Sequence, residues 1–268
     1  MKQIISKKDL ALFKELVRTD FKLRYQGSFL GYLWSLLKPL MLFGILYVVF
    51  TKFLHIGKGI PNYAISLLLG IVLWTFFVEA TSNSLKSIVG RGGLIRKINI
   101  PRYLIPLSTA ASAFINMLLN LIVVFIFVAF AENTPLSWQT AVIFPFLILE
   151  LTILATGIGF FLAATYVKFR DIDHIWDITR QALFYTVPII YPLSRIPSVE
   201  IQKFILMNPL SQIIQDSRVL ITYGETTTIS DVFGSRVYEL IPYTIVVVTF
   251  IIGYSYFQKR SKSFAENI

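Results

Sequence analysis

The 268-residue chain contains no cysteine. That excludes a disulfide framework, a thiolate metal site and a cysteine nucleophile. Histidine is nearly absent too, with only His55 and His174. Charge is scarce: 15% of residues are Asp, Glu, Lys or Arg, against roughly 25% in an average soluble domain. Acidic charge is scarcer still, at 15 residues against 25 basic ones, for a net charge of +10. There is no Gly-x-x-x-x-Gly-Lys-Ser/Thr phosphate loop, so the chain has no ATPase site of that kind. No His-Glu-x-x-His motif and no internal repeat occur, and the latter absence gives no support to inverted-repeat transporters. What is there is apolar: 55% hydrophobic residues and a mean hydropathy of +0.68. A disordered chain has the opposite balance. The class that remains is an all-α integral membrane protein of one polytopic domain.

A bilayer core about 30 Å thick needs ~20 apolar residues in a helix. Six stretches meet or approach this, at residues 33–54, 63–83, 103–131, 140–167, 175–191 and 239–258. Residues 1–28 precede them as an amphipathic interface helix, and no cleavable leader is expected there. Residues 84–102 form a long basic loop, and residues 192–236 a long segment between the fifth and sixth spans. With the N-terminus inside, 17 of the 25 Lys and Arg fall in inside segments and 6 in outside ones. Lys38 and Arg180 lie within helices. This asymmetry predicts both termini in the cytoplasm. The same positive-inside pattern accounts for the basic charge without a nucleic-acid partner.

Several segments carry more than hydrophobicity. Ser6 and Asp9 have capping-box spacing. Leu10, Phe13, Val17 and Phe21 follow helical spacing, with Leu16 beside them, and the basic residues fall mostly elsewhere on the wheel. Such a helix suits the membrane surface, a cytoplasmic docking face, or both. In the 84–102 loop, a short helix from about residue 82 to 89 is expected to stop at Gly90. The loop reads either as a basic connector resting on anionic lipid or as a lever for a cytoplasmic motor. The third span bears a polar stripe, Thr109, Ser112, Asn116 and Asn120, and the fourth a small-residue ridge, Ala155, Gly159 and Ala163. Both predict helix packing. Glu150 is a carboxylate near the middle of a span, costing about 2.5–3.5 kcal/mol on insertion scales. A structural polar contact is expected, with Arg180 a candidate partner. Between residues 192 and 236, two apolar pieces flank Asn208-Pro209. They read as two re-entrant or interfacial helices with a proline break, against an ordinary folded loop. Aromatic side chains cluster near span ends and faces, as belt, packing or pore lining.

Several blocks in order resemble the permease subunits of polysaccharide-exporting ABC transporters, of the O-antigen and teichoic acid exporter type. They are Arg24-Tyr25 with residues 30–39 ending at Lys38-Pro39, then Leu94-Ile95-Arg96-Lys97-Ile98 with Pro101-Arg102. Phe169-Arg170-Asp171-Ile172 follows, and last come Pro188-Ile189-Ile190-Tyr191-Pro192 and Asn208-Pro209-Leu210 with Arg218. Lys38 is a departure, since Asn before the proline is common in such proteins. The resemblance implies a homodimer in a bacterial cytoplasmic membrane, bound to two separate ATP-binding cassette subunits. ATP and Mg would sit on those subunits, with no cofactor on this chain and no enzymatic activity of its own. It implies a coupling element around Ser84, Leu85, Lys86, Ile88 and Arg91. It makes the segment with Asn208, Pro209 and Arg218 a re-entrant gate. The substrate would be a glycan or polyol-phosphate polymer on a polyprenyl pyrophosphate carrier. On that basis Arg24 and Lys38 are expected to attract the pyrophosphate, and Trp34, Trp74, Tyr185 and Tyr191 to line the glycan path. The alternatives are an exporter of a small lipophilic compound and a membrane enzyme acting on lipid-linked sugars.

Overall fold

The structure is a computed structural model that describes residues 7–25, 30, 31, 33–56, 60–98, 100–131, 137–222 and 226–264. Ser6 of the expected capping box and Tyr32 of the resemblance lie outside the described residues, as does the Arg24 side chain. The described secondary structure is helical throughout. The helices are α1 (Lys7–Tyr25), α2 (Leu33–Tyr47), α3 (Tyr63–Gly90), α4 (Gly92–Lys97), α5 (Leu104–Ala129) and α6 (Trp138–Lys168), followed by α7 (Ile172–Thr186), α8 (Val199–Leu206), α9 (Pro209–Ile221), α10 (Ile229–Phe233) and α11 (Leu240–Ser261). A π-helical stretch, Val48–Phe53, extends α2.

Five helical stretches are long and apolar enough to cross a membrane: the one beginning at Leu33, α3, α5, α6 and the one ending with α11. The most buried is α3, which packs against α2, α5, α6, α7 and α9. Its side chains Leu67, Leu69, Ile71, Leu73 and Leu85 are fully enclosed. The expected ridge on α6 is a packing surface: Ala155 and Ala163 are buried, and Gly159 abuts Ser84 of α3. On the other side of α6, Gly157 meets Gly253 of α11. A Cβ on Gly157 would sit 2.6 Å from the Phe250 Cα, so the two backbones touch and only glycine fits.

The fifth predicted span is shorter than expected. α7 has 15 residues, or about 22 Å of helix. It stops at Val187 because Pro188 forces the preceding residue out of the helical region; Val187 has φ −79° and ψ 133°. Contacts with α3 nevertheless run along nearly its whole length. At one end Lys86 Nζ lies 2.7 Å from Asp173 Oδ2. In between, Phe77 meets Trp176 and Trp74 meets Phe184. At the other end the Tyr63 hydroxyl donates to the Ile190 carbonyl at 2.6 Å. From Tyr63 to Lys86, α3 rises about 35 Å, more than a hydrocarbon core. α7 and the non-helical residues 187–190 together cover that depth alongside α3, although α7 itself is shorter than the five long apolar stretches.

Residues 84–90 correct the loop assignment. They are the last two turns of α3, with no separate short helix. The apolar periodicity of α3 persists through Leu85 and Ile88, both fully buried, and helix ends only at Gly90. The turn at Arg91 leads into α4. Around 192–236 two short helices form, α8 and α9. Asn208 caps α9, its side chain accepting the Leu210 N–H at 3.0 Å, and Pro209 occupies the first turn, where a missing N–H costs least. α9 is buried on nearly every side among α3, α6 and α11. An ordinary exposed loop is therefore replaced by a helix inserted into the bundle. α8 and α10 form a small core of their own around Leu193, Leu206 and Ile229. The amphipathic α1 packs against α5 through Leu16, while Leu10 is 49% exposed.

Candidate functional site

A polar concavity at bilayer depth runs along α3. Thr75, Glu79, Ser82, Asn83 and Lys86 recur at three- and four-residue steps and so share one face. α2 and α5 wall the upper part, a cavity of about 450 Å³ holding Trp34, Ser35, Lys38, Glu79 and Asn116. A second cavity of about 440 Å³ continues it past Ser82 and Asn83 to Lys86, Arg91, Asp20 and Ser112. Residues 75 to 91 of α3 and its turn span about 24 Å, so the two cavities form one trough most of the way through the bilayer.

The polar stripe of α5 builds this wall. Asn116 Nδ2 donates to Glu79 Oε2 at 2.8 Å, and Asn120 Nδ2 donates to the Ser35 carbonyl of α2 at 3.1 Å. Thr109 and Ser84 hydroxyls meet at 3.0 Å. The stripe is helix packing, as expected, and its unspent polar atoms face the trough. At the basic end Arg91 is held by Asp20 of α1 and donates to Ser108 Oγ at 3.0 Å. Three elements, α1, α3 and α5, are tied at that point.

The expected site residues divide between this trough and the core. Lys38 is exposed and lines the trough beside Trp34, which is 43% exposed. Arg24 lies in the last turn of α1, its side chain outside the described residues. Trp74 is not a lining residue: it is buried, with its ring 5.5 Å from Phe184 and 5.9 Å from Phe77. Tyr191 is half-buried, its hydroxyl donating to the Thr186 carbonyl at 3.0 Å at the end of α7. Tyr185 stands 61% exposed on α7. The four aromatics therefore do not form one surface, because α7 packs its aromatic face inward against α3.

Among the residues expected to couple to a motor, Ser84, Leu85 and Ile88 are buried between helices and present no surface. This corrects their assignment, and the reason is the continuation of α3. Lys86 is exposed and paired with Asp173 of α7, and Arg91 is engaged by Asp20. The exposed residues at this turn are Gly93, Arg96, Lys97 and Ile98.

Arg218 is the best-defined polar centre outside the trough. It is buried, and its guanidinium donates to the carbonyls of Pro188 at 2.6 Å, Ile189 at 2.6 Å and Ser66 at 3.2 Å, and to Gln215 Oε1 at 2.9 Å. The proline break frees those carbonyls, and in a bilayer no water replaces the lost helix bonds. Gly70 makes room for it: a Cβ there would lie 2.8 Å from Nη2. The geometry makes Arg218 a clamp between α9, α3 and the broken crossing.

A cavity of about 1080 Å³ lies between α5 and α6 and is lined by apolar side chains such as Phe114, Leu118, Ile122 and Phe144. Its Thr140, Thr152 and Thr156 hydroxyls donate to backbone carbonyls, so it offers no polar recognition. Among the described residues no group of three His, Asp or Glu could hold a metal ion.

A family model for ABC-2 type transporters matches residues 11–222. The chain belongs to this ABC-2 type transporter family. Its relatives include an O-antigen export system permease protein, RfbA, of Klebsiella pneumoniae, 31% identical over 252 residues that cover 94% of this chain and 92% of the relative. An RfbA of Myxococcus xanthus is 26% identical over 96% of this chain and 95% of its own length. The polysialic acid transport protein KpsM of Escherichia coli is 27% identical over 94% and 93%. This ABC-2 permease matches each relative over nearly its full length, so the resemblance read from the ordered blocks holds along nearly the whole chain.

The residues that sequence reasoning missed are Glu79, Ser82, Asn83 and Asp20. Their helical spacing along α3 was readable, but ending the second span at residue 83 divided the face between a span and a loop. Asp20 carried no local signal, since its partner Arg91 is 71 positions away.

Proposed function

We propose that this chain is the membrane-spanning subunit of an ATP-driven polysaccharide exporter, and that the trough along α3 is its contribution to the glycan path. The observation that carries the reading is that trough: hydroxyls, amides, the Glu79 and Asp20 carboxylates, the Lys38 and Lys86 ammoniums and the Arg91 guanidinium spaced along a bilayer-deep groove. A sugar chain presents hydroxyls at every residue, and such a lining exchanges hydrogen bonds with them without gripping any one strongly. A small lipophile would instead want an enclosed apolar pocket. The names of the relatives support the same substrate class.

Two copies of the chain would face their troughs across a central path, with a separate ATP-binding cassette subunit under each. ATP and Mg belong to those subunits. The basic end, carrying Lys86, Arg96, Lys97, Arg102 and Lys259, is then cytoplasmic. The surface gripped by the motor is α4 with Lys86, at the exposed turn after α3. Lys38, near the trough mouth, attracts the pyrophosphate of a polyprenyl-linked substrate electrostatically, joined by Arg24. Movement of α4 is transmitted directly, because it continues α3 and is tied to α1 and α5 through Arg91.

The test is co-purification of the full chain with its ATPase from cells, followed by hydrolysis assays in nanodiscs. Lipid-linked polymer should stimulate hydrolysis severalfold, and free small lipophiles should not. Turnover of a lipid-linked sugar by the chain alone would overturn the transport reading.

A further inference from the structure

Three polar atoms in the trough wall have no hydrogen-bond partner among the described residues: Ser82 Oγ of α3, and Ser112 Oγ and Asn116 Oδ1 of α5. Ser112 is fully buried and Asn116 is 5% exposed. Neighbouring hydroxyls on the same two helices are returned to backbone carbonyls. Thr81 donates to Phe77 at 2.7 Å, Ser87 to Ser84 at 2.7 Å, and Thr109 to Pro106 at 2.8 Å. Buried donors and acceptors are ordinarily paired, so groups left unpaired at a cavity wall call for a partner from outside the chain.

Helix register brings the three together. α3 and α5 run antiparallel: Asn116 Nδ2 donates to Glu79 Oε2, and the Thr109 and Ser84 hydroxyls meet at 3.0 Å. Between these two ties Ser112 comes level with Ser82, and Asn116 lies about one turn along α5 from Ser112. Ser82 lines both cavities of the trough, Asn116 the first and Ser112 the second. The junction of the two cavities therefore carries two hydroxyls and one amide oxygen that spend nothing on the protein.

A hydroxyl both donates and accepts, whereas an amide oxygen only accepts. A ligand that satisfies all three presents hydroxyls of its own, one to donate to Asn116 Oδ1 and another to exchange with the serines. Adjacent hydroxyls on a sugar ring do this. A phosphate diester or a carboxylate does not, since it has no proton to give Asn116 Oδ1, and the Glu79 carboxylate bonded to the same amide repels it. We propose that Ser82, Ser112 and Asn116 form a subsite for the vicinal hydroxyls of a sugar ring, at the junction of the trough's two cavities. This rests on the reading of the trough as a glycan path and fixes one point along it. A hydrogen bond made here displaces no internal partner, so each one counts fully toward holding the sugar.

The test uses the full chain with its ATPase in lipid nanodiscs and, as probe, the lipid-linked polysaccharide extracted from the producing cells. With Ser82→Ala and Ser112→Ala combined, the half-saturating polymer concentration for stimulated ATP hydrolysis should rise about threefold to tenfold, the weight of one neutral hydrogen bond. Unfolding of the double variant by SDS should match that of the wild type, because neither hydroxyl bonds within the chain. Periodate, which cleaves vicinal diols, should weaken the polymer's action on the wild type more than on the double variant. An unchanged half-saturating concentration, an earlier unfolding, or equal weakening by periodate overturns the subsite and leaves the transport reading standing. A wild-type complex that the polymer does not stimulate brings down both. Should the double variant not accumulate, Ser82→Cys gives a chain with no cysteine of its own a single thiol. The polymer should slow its labelling by a small methanethiosulfonate severalfold, and labelling indifferent to the polymer overturns the subsite equally.

Discussion

Arg218→Ala removes in one step the donors to the Pro188 and Ile189 carbonyls. The helix break leaves these carbonyls without intrahelical partners, and each is enclosed by protein. A buried unsatisfied carbonyl costs about 1–3 kcal/mol, so the two together cost about 2–6 kcal/mol. Part of this is offset, because the variant no longer holds a charged guanidinium out of water. A net loss of about 2–3 kcal/mol is expected, a sizeable share of the ~5–15 kcal/mol that holds a typical protein folded. Unfolding of the purified protein by SDS titration in mixed micelles, followed by tryptophan fluorescence, would measure it. Amide exchange should rise first at residues 187–191 and in α9. Arg218→Lys should recover only part of the loss, since one ammonium cannot reproduce a planar fork addressing several acceptors. If Arg218→Ala unfolds within ~0.5 kcal/mol of wild type, the ordinary range for inconsequential surface changes, the carbonyls have other donors and the clamp is not one.

Other perturbations address the packing, the trough and the basic end. Gly253→Leu drives a side chain into the α6 backbone at Gly157; it should cost about 3 kcal/mol or more and abolish the monodisperse peak on gel filtration. Lys38→Glu should reduce surface polysaccharide while leaving assembly intact, and Lys38→Arg should behave as wild type; normal export by the charge-reversed variant would remove Lys38 from the path. Asp20→Arg and Arg91→Asp should each impair folding and export, whereas the swapped double variant should recover both. A double-mutant coupling of about 1–3 kcal/mol is expected, and none would show that α1 is not tied to α3 through this pair.

Most of the membrane architecture was legible along the chain, because a bilayer imposes length and hydropathy on each crossing independently of the others. The starts of α3, α5 and α11 fall within one residue of expectation. Asn208-Pro209 correctly divided the two short helices, since a side-chain cap and a proline at the first turn are local signals. The end of α3 was misplaced. Lys86 and the glycines after it have the composition of a loop, yet Leu85 and Ile88 keep the apolar period and find α5 and α6 to pack against. Trp74 turned inward for a related reason. An aromatic ring has the same identity whether it faces a pore or a neighbouring helix, and only the packing partner decides.

The all-helical membrane class and the family were determined by the sequence itself, since each is a property of composition, spacing or ordered short motifs. The tertiary structure decided everything that depends on which faces meet. It assembled the trough from three helices, joined Asp20 to Arg91, and placed Arg218 against carbonyls freed by Pro188. It also enclosed Glu150 within the packing of α6 and joined Gln212 to Asp216 along α9. The contacts between helices join residues tens to more than a hundred positions apart, and periodicity along one helix says which residues share a face but not what that face will touch.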